Sequence, residues 1–203
     1  LNFNEPNTEE IVRLLQEAQS FILKHYQITF SAGIGDTVDE LIELSLSYRS
    51  AYEAFSRRFV TGNGSIHAAS GLHLAPALEQ LYPFEIGDAL LNAVKSLSPE
   101  TASGYVHEFI AAVRTYHIEQ ILCHILQLVT SLQRLELTNY IAADGEWDYK
   151  SLEQSTLENI EARLVQRCTG DIEQLSRTKE MDSGKSELID EIIQLVEDNL
   201  YNP

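Results

Sequence analysis

Three histidines, His107, His117 and His124, lie in one strongly helical stretch, with Cys123 beside the last of them. Imidazole and thiolate are the donor set of a zinc site, which needs about four converging nitrogen or sulfur ligands. His117 and His124 are seven residues apart on one helical face, roughly 10 Å by helical rise, and supply at most two donors. They read as histidines packed within a helical bundle. His67 and His73 flank a glycine-rich turn and belong to a loop.

The paired carboxylates Asp39-Glu40-Glu43 and Asp190-Glu191 fall on the polar faces of amphipathic helices. General acid-base work requires carboxylates in a cleft with displaced pKa values, so these are solvated surface. Gly33-Ile34-Gly35 and Gly62-Asn63-Gly64 invite a phosphate-loop reading. Neither has the P-loop lysine nor the strand, GxGxxG, helix order, and turn geometry is the plainer reading. No GxSxG occurs. Cys123 stands among isoleucines and leucines, as a core thiol does. No catalytic, cofactor-binding, metal-binding or DNA-contacting residue is assigned.

The 203 residues carry 14 Lys plus Arg against 31 Asp plus Glu, a net charge of −17. The excess is shared by both halves of the chain. Such a body repels nucleic acid unless a basic patch overrides it, and the densest pair is Arg57-Arg58. Hydrophobic residues make up 44% and charged residues 22%, the balance of a folded chain and not a disordered one. Cys123 and Cys168 show no CxxC spacing and fit two reduced thiols in a cytoplasmic protein. The longest uncharged apolar run, Gln120 to Gln133, falls short of a membrane span. The chain opens on Leu1 rather than Met and closes on Asn202-Pro203, as a piece cut at both ends would.

These residues are positioned by two kinds of element. Asn7, with Glu10 three residues on, caps a helix bearing Ile11, Leu14, Leu15, Ala18, Phe21 and Ile22 on one face. The period then changes to two over Ile28, Phe30, Ala32 and Ile34, a half-buried strand. Asp36 caps a second helix carrying Val38, Leu41, Ile42, Tyr48, Ala51, Tyr52 and Phe55. A turn at Gly62-Asn63-Gly64 leads to a short strand, Ser65 to Ala69. Two strands make a poor sheet alone.

From Gly71 the pattern is helical. Residues 71 to 83 form a loop with a helical turn at Ala77 to Leu81. A helix bearing Phe84, Ile86, Leu90, Leu91, Val94 and Leu97 ends near Ser98-Pro99. Residues 101 to 137 divide near Thr115 to His117, with Thr115 as cap, because a 37-residue globular helix is improbable. The second piece, Ile118 to Leu132, is apolar nearly all round and should be central. After a connector at 142 to 150, Leu152 to Leu175 trace another helix, or two jointed at Thr169-Gly170. Ser176 to Ser186, with Asp182-Ser183-Gly184, is the linker candidate. A last helix carries Leu188, Ile189, Ile192, Ile193, Val196 and Leu200.

Two stretches carry a family likeness. Ile28-Thr-Phe-Ser-Ala-Gly-Ile-Gly-Asp36, followed by Ser47 to Ile66, resembles the C-terminal half of a degenerate GGDEF-like domain, as found in large AraC-type transcriptional regulators. Glu187 to Pro203 is similar to the opening helix of the AraC-type DNA-binding domain. Their order, with Leu81-Tyr-Pro-Phe84 between them, matches the middle region of that family. The fold expected is mainly α with a small α/β unit: a partial GGDEF-like α-β-α-β over 1–70, a helical coupling domain over 71–182, and a linker with the first helix of a truncated DNA-binding domain over 183–203.

The resemblance implies a non-catalytic fragment that couples an upstream sensor or receiver to a downstream helix-turn-helix domain. DNA would be met only through that domain, a homodimer is expected, and this fragment would make no membrane contact. The GGDEF signature hairpin has no counterpart in the chain, so a cyclase activity does not carry over. A second reading is a sensory domain that binds a nucleotide or metabolite, with Tyr105, Tyr116, His117 and His124 as lining. The terminal stripe from Leu188 to Leu200 is expected to pack on the bundle or on a second copy.

Overall fold

A computed structural model describes residues 7–69, 81–141 and 147–200. The fold is mainly helical, with one two-stranded parallel sheet among the described residues. Helix α1 (Thr8–Tyr26) starts where Asn7 Oδ1 accepts the Glu9 N–H at 3.1 Å, and stops at Gln27 in the left-handed region (φ 58°). The cap therefore closes on Glu9. Glu10, the expected reciprocal partner, sits 4.0 Å from Arg13 instead.

Strand β1 (Ala32–Ile34) is shorter than the alternation from Ile28 predicts. Its partner β2 (Ile66–Ala68) is three residues long, in the register Ala32↔Ile66 to Ile34↔Ala68. Ahead of that ladder, Gln19 Nε2 donates to Phe30 O at 2.6 Å and to Gly64 O at 2.9 Å. A side chain on α1 thus takes the backbone acceptor that a longer strand would use.

Helix α2 (Leu44–Ser56) begins after one 3-10 turn, Leu41–Glu43. Asp36 is not its cap: the Asp36 N–H donates to Ser50 Oγ at 2.8 Å, eight residues before the helix starts. A short helix α3 (Arg58–Thr61) ends at Gly62 (φ 93°), and with Gly64 (φ 84°) the expected turn forms. Gly33 and Gly35 are neither turn nor phosphate loop. A Cβ at Gly33 would meet Ala51 O and come within 2.8 Å of Phe55 Cβ, and one at Gly35 would meet Ser47 O. The two glycines let α2 lie directly on β1.

The bundle comprises α4 (Phe84–Lys95), α5 (Pro99–Val113), α6 (Ile118–Thr138), α7 (Tyr149–Gln154) and α8 (Leu157–Leu200). The break between α5 and α6 falls where expected. The residue at the α6 cap position is His117, not Thr115, and no side chain caps the helix. Helix α6 buries Ile121, Leu122, Ile125, Leu128, Val129 and Leu132, while Cys123, Gln127 and Thr130 are exposed. Phe59 of α3 belongs to the same apolar core as Leu90, Val106, Phe109, Ile125, Ile160 and Leu164. The expected loop over 71–83 lies mostly outside the described residues.

Helix α8 departs most from expectation. It is continuous for 44 residues: Thr169-Gly170 forms no joint, as the one-helix alternative has it, and the helix runs on through the linker expected at Ser176 to Ser186. Single glycines cost about 1 kcal/mol each in a helix, and a helix already nucleated in the core adds residues without a new nucleus. No proline interrupts residues 157–200. Leu175 is the last buried hydrophobic residue described on α8, and the helix axis continues ~38 Å beyond it.

Candidate functional site

The histidines proposed as bundle residues separate in space. His124 makes edge contacts with Tyr82 and Tyr116, ring centroids 5.6 and 5.8 Å away, and Tyr82 also meets Phe84 and Phe109. Gly87 gives the Tyr82 hydroxyl its seat, since a Cβ there would fall 2.6 Å from that oxygen. Burial, with Asp88 nearby, pushes the Tyr82 phenol up to about 12. Tyr116 Oη donates to Leu81 O at 3.3 Å. This is an aromatic wall between the segment before α4 and the start of α6. Tyr105 packs against the core, and none of Tyr105, Tyr116, His117 and His124 lines either cleft described below.

His107 instead pairs with Glu161, Nδ1 to Oε1 at 2.6 Å. The pair lines a cleft of about 290 Å³ between α3, α5 and α8, with Thr61, Arg114, Thr156 and Glu158 around it. Thr156 caps α8 through Oγ1 to the Asn159 N–H at 3.3 Å. An imidazole held by a carboxylate is one element of general-base chemistry. A nucleophile positioned by that imidazole would be needed to complete it.

A second cleft of about 200 Å³ lies where the α/β unit meets the bundle. Tyr52, Phe55 and Ser56 of α2 face Ile118, Glu119 and Leu122 of α6 and Tyr149, Glu153 and Gln154 of α7, with Arg58 and Phe59 between. Arg58 stacks over Phe55 at 4.9 Å and reaches Glu153 O at 3.5 Å. The cation in this cleft is thus engaged within the chain. The cleft is a seam between two substructures, lined by aromatic rings and carboxylates.

His67 lies in β2, not in a loop, and its Nε2 is 2.9 Å from Thr61 Oγ1. Burial, then the charge of Arg57, holds its pKa below the ordinary histidine value. His73 lies outside the described residues. Asp39, Glu40, Glu43 and Glu191 are exposed, as solvated carboxylates should be. Cys123 is exposed rather than a core thiol, because it falls on the outer side of α6. Cys168 is the buried thiol, and burial, with Asp171 beside it, raises it to about 12. Among the described residues no group of three or more His, Cys, Asp or Glu could hold a metal. Nor is any helix there long and apolar enough to cross a membrane.

The most specific polar arrangement escaped the motif reading. Glu136 on α6 and Arg167 on α8 form a buried two-bond ion pair, with Asp171 also buried one turn further on. Arg167 lies 5.6 Å from the Trp147 ring and Arg163 4.3 Å from it. The signal was periodic. Ile125, Val129, Leu132 and Glu136 share one column of α6, and Ile160, Leu164, Arg167, Asp171 and Leu175 share one of α8. Charges in an apolar column call for a partner across the interface.

Beyond Leu175, Leu188, Ile189, Ile192, Ile193 and Val196 are each at least half exposed. Among known proteins, no family model, curated protein or solved structure matches the chain.

Proposed function

We propose that the chain is a non-catalytic coupling module of an AraC-type transcriptional regulator, relaying the state of an upstream sensor or receiver to a downstream helix-turn-helix domain. The observation that carries this reading is the continuity of α8. The helix starts beside the α/β unit, threads the core that holds Phe59, and ends in an exposed apolar stripe. A shift of the α/β unit against the bundle reaches the stripe without crossing a flexible joint, which is what a relay requires.

The residues that resemble a GGDEF-like half support the same assignment. Ala32 to Ile34 and Ile66 to Ala68 pair in parallel with α2 between them. A homodimer in the cytoplasm belongs to this proposal. The test reads the coding sequence beyond Pro203 and measures DNA binding by the extended protein. Two helix-turn-helix units and promoter binding absent from the 203-residue chain are expected. An unrelated downstream sequence, or DNA binding by the 203 residues at physiological salt, contradicts the reading.

A ligand-sensing role has one observation in its favour, the seam cleft between α2, α6 and α7. A ligand there would touch both substructures at once. A thermal-shift screen of nucleotides and sugars tests it, and a Tm unchanged across the set contradicts it.

A further inference from the structure

We infer that the seam cleft between α2, α6 and α7 is a binding site for a compact organic cation, a quaternary ammonium or a protonated amine. The inference deepens the ligand-sensing reading of that cleft and rests on it, not on the family resemblance. At about 200 Å³ the cleft lies below the ~300–1,000 Å³ of pockets that take drug-sized ligands, so its occupant is small. Tyr52 of α2 and Tyr149 of α7 line it, and both are exposed. An aromatic face is the negative part of the ring quadrupole and attracts a cation within about 6 Å of the centroid.

Charge selects the same class. Glu119 of α6 and Glu153 of α7 line the cleft against one basic residue, Arg58. Among the described residues neither carboxylate is in an ion pair. Their field reaches the rings: burial first, then Glu153 and Glu119, holds the Tyr149 phenol above its ordinary value. Arg58 shows how a cation sits here, its guanidinium 4.9 Å from the Phe55 centroid and its Nη2 donating to Glu153 O at 3.5 Å. Among the described residues neither Tyr52 nor Tyr149 carries such a cation. A phosphate-bearing ligand would bring like charge to the carboxylates, and a neutral sugar would leave them unpaired. An alkylated ammonium meets rings and carboxylates together.

The experiment uses the whole chain and isothermal titration calorimetry at physiological salt. The probes are choline, the neutral alcohol in which carbon replaces its nitrogen, and potassium as a bare cation. Choline is expected to bind at least tenfold more tightly than either other probe. Tyr149→Leu should weaken choline at least threefold, whereas Tyr149→Phe, which keeps the ring, should not. Glu119→Gln with Glu153→Gln should remove the preference for choline over its neutral isostere. Circular dichroism reports that the variants still fold.

Equal binding of the neutral isostere would reduce the effect to apolar burial, and equal binding of potassium would reduce it to net charge. Either result overturns the proposal, as does no choline binding at all. Choline binding untouched by Tyr149→Leu and by the glutamine pair would put the site elsewhere on the chain and do the same. The ligand-sensing reading fails separately. A nucleotide or sugar that raises Tm when choline does not would keep sensing and reject the cation. Choline binding in the cleft with amide exchange of α2 and α7 unchanged would keep the cation site and reject sensing.

Discussion

Arg167 and Glu136 face each other across the α6–α8 interface with two parallel bonds, Nε to Oε1 and Nη2 to Oε2, each 2.8 Å. The side chains are 2% and 0% exposed. Breaking such a pair leaves one charge buried without its partner, whereas replacing both ends by apolar groups removes the desolvation penalty. Glu136→Ala should cost about 3–5 kcal/mol and lower Tm by roughly 10 °C. Glu136→Leu combined with Arg167→Met should recover at least half of that. Thermal denaturation of the three proteins checks it, and a double variant worse than the single would contradict the assignment.

Gly33 on β1 lies against Ala51 and Phe55 of α2 with no room for a Cβ, and Gly104 on α5 has open space where a Cβ would stand. Gly33→Ala should destabilise the α/β unit by about 1–3 kcal/mol through overpacking. Gly104→Ala should stabilise the bundle by up to ~1 kcal/mol. Amide hydrogen exchange distinguishes the two sites. Protection should fall across β1 and α2 in the first variant and remain unchanged there in the second.

The two thiols should differ in accessibility to a reagent. Cys123 is exposed, and Cys168 is buried with its pKa raised to about 12. A disulfide-exchange reagent at pH 8 should modify one thiol per native chain and two after unfolding in guanidinium. Two fast thiols in the native protein would mean that the α8 column around Cys168 is open.

His67 carries a pH dependence whose sign follows from its lowered pKa. The folded state disfavours the imidazolium, so its contribution is complete above the unfolded value near 6.5 and is lost as pH falls through the folded value. His67→Gln should flatten the stability profile between about pH 7 and pH 5 relative to the parent. A steeper profile in the variant would reverse the sign and reject the environment described for β2.

The helices of the bundle and the α5–α6 break were legible because apolar spacing survives any tertiary context. The caps were less so. Asp36 precedes an apolar period as a cap should, yet its backbone N–H is drawn to Ser50 and the helix starts late. Strand length depends on the partner, which is short, and Ile28 to Phe30 could not show this alone. The run from Ser176 to Ser186 has the composition of a linker but no proline to break a helix. At the site level, single histidines drew attention by residue type. The Glu136–Arg167 pair needed two helices to be read together, and their columns meet only in the fold.

The central claim is that α8 transmits rigidly from the bundle core to the exposed stripe. Pulsed electron–electron resonance between spin labels at Gln166→Cys and Gln194→Cys, in a Cys123→Ser background, measures this directly. Both glutamines are exposed and Cys168 is buried, so only the new thiols are labelled. A continuous helix places them about 42 Å apart by axial rise, and the account predicts one narrow distance distribution centred there within the reach of the labels. A broad distribution shifted to shorter distances would mean that residues 176 to 186 are a hinge, and the relay would be contradicted.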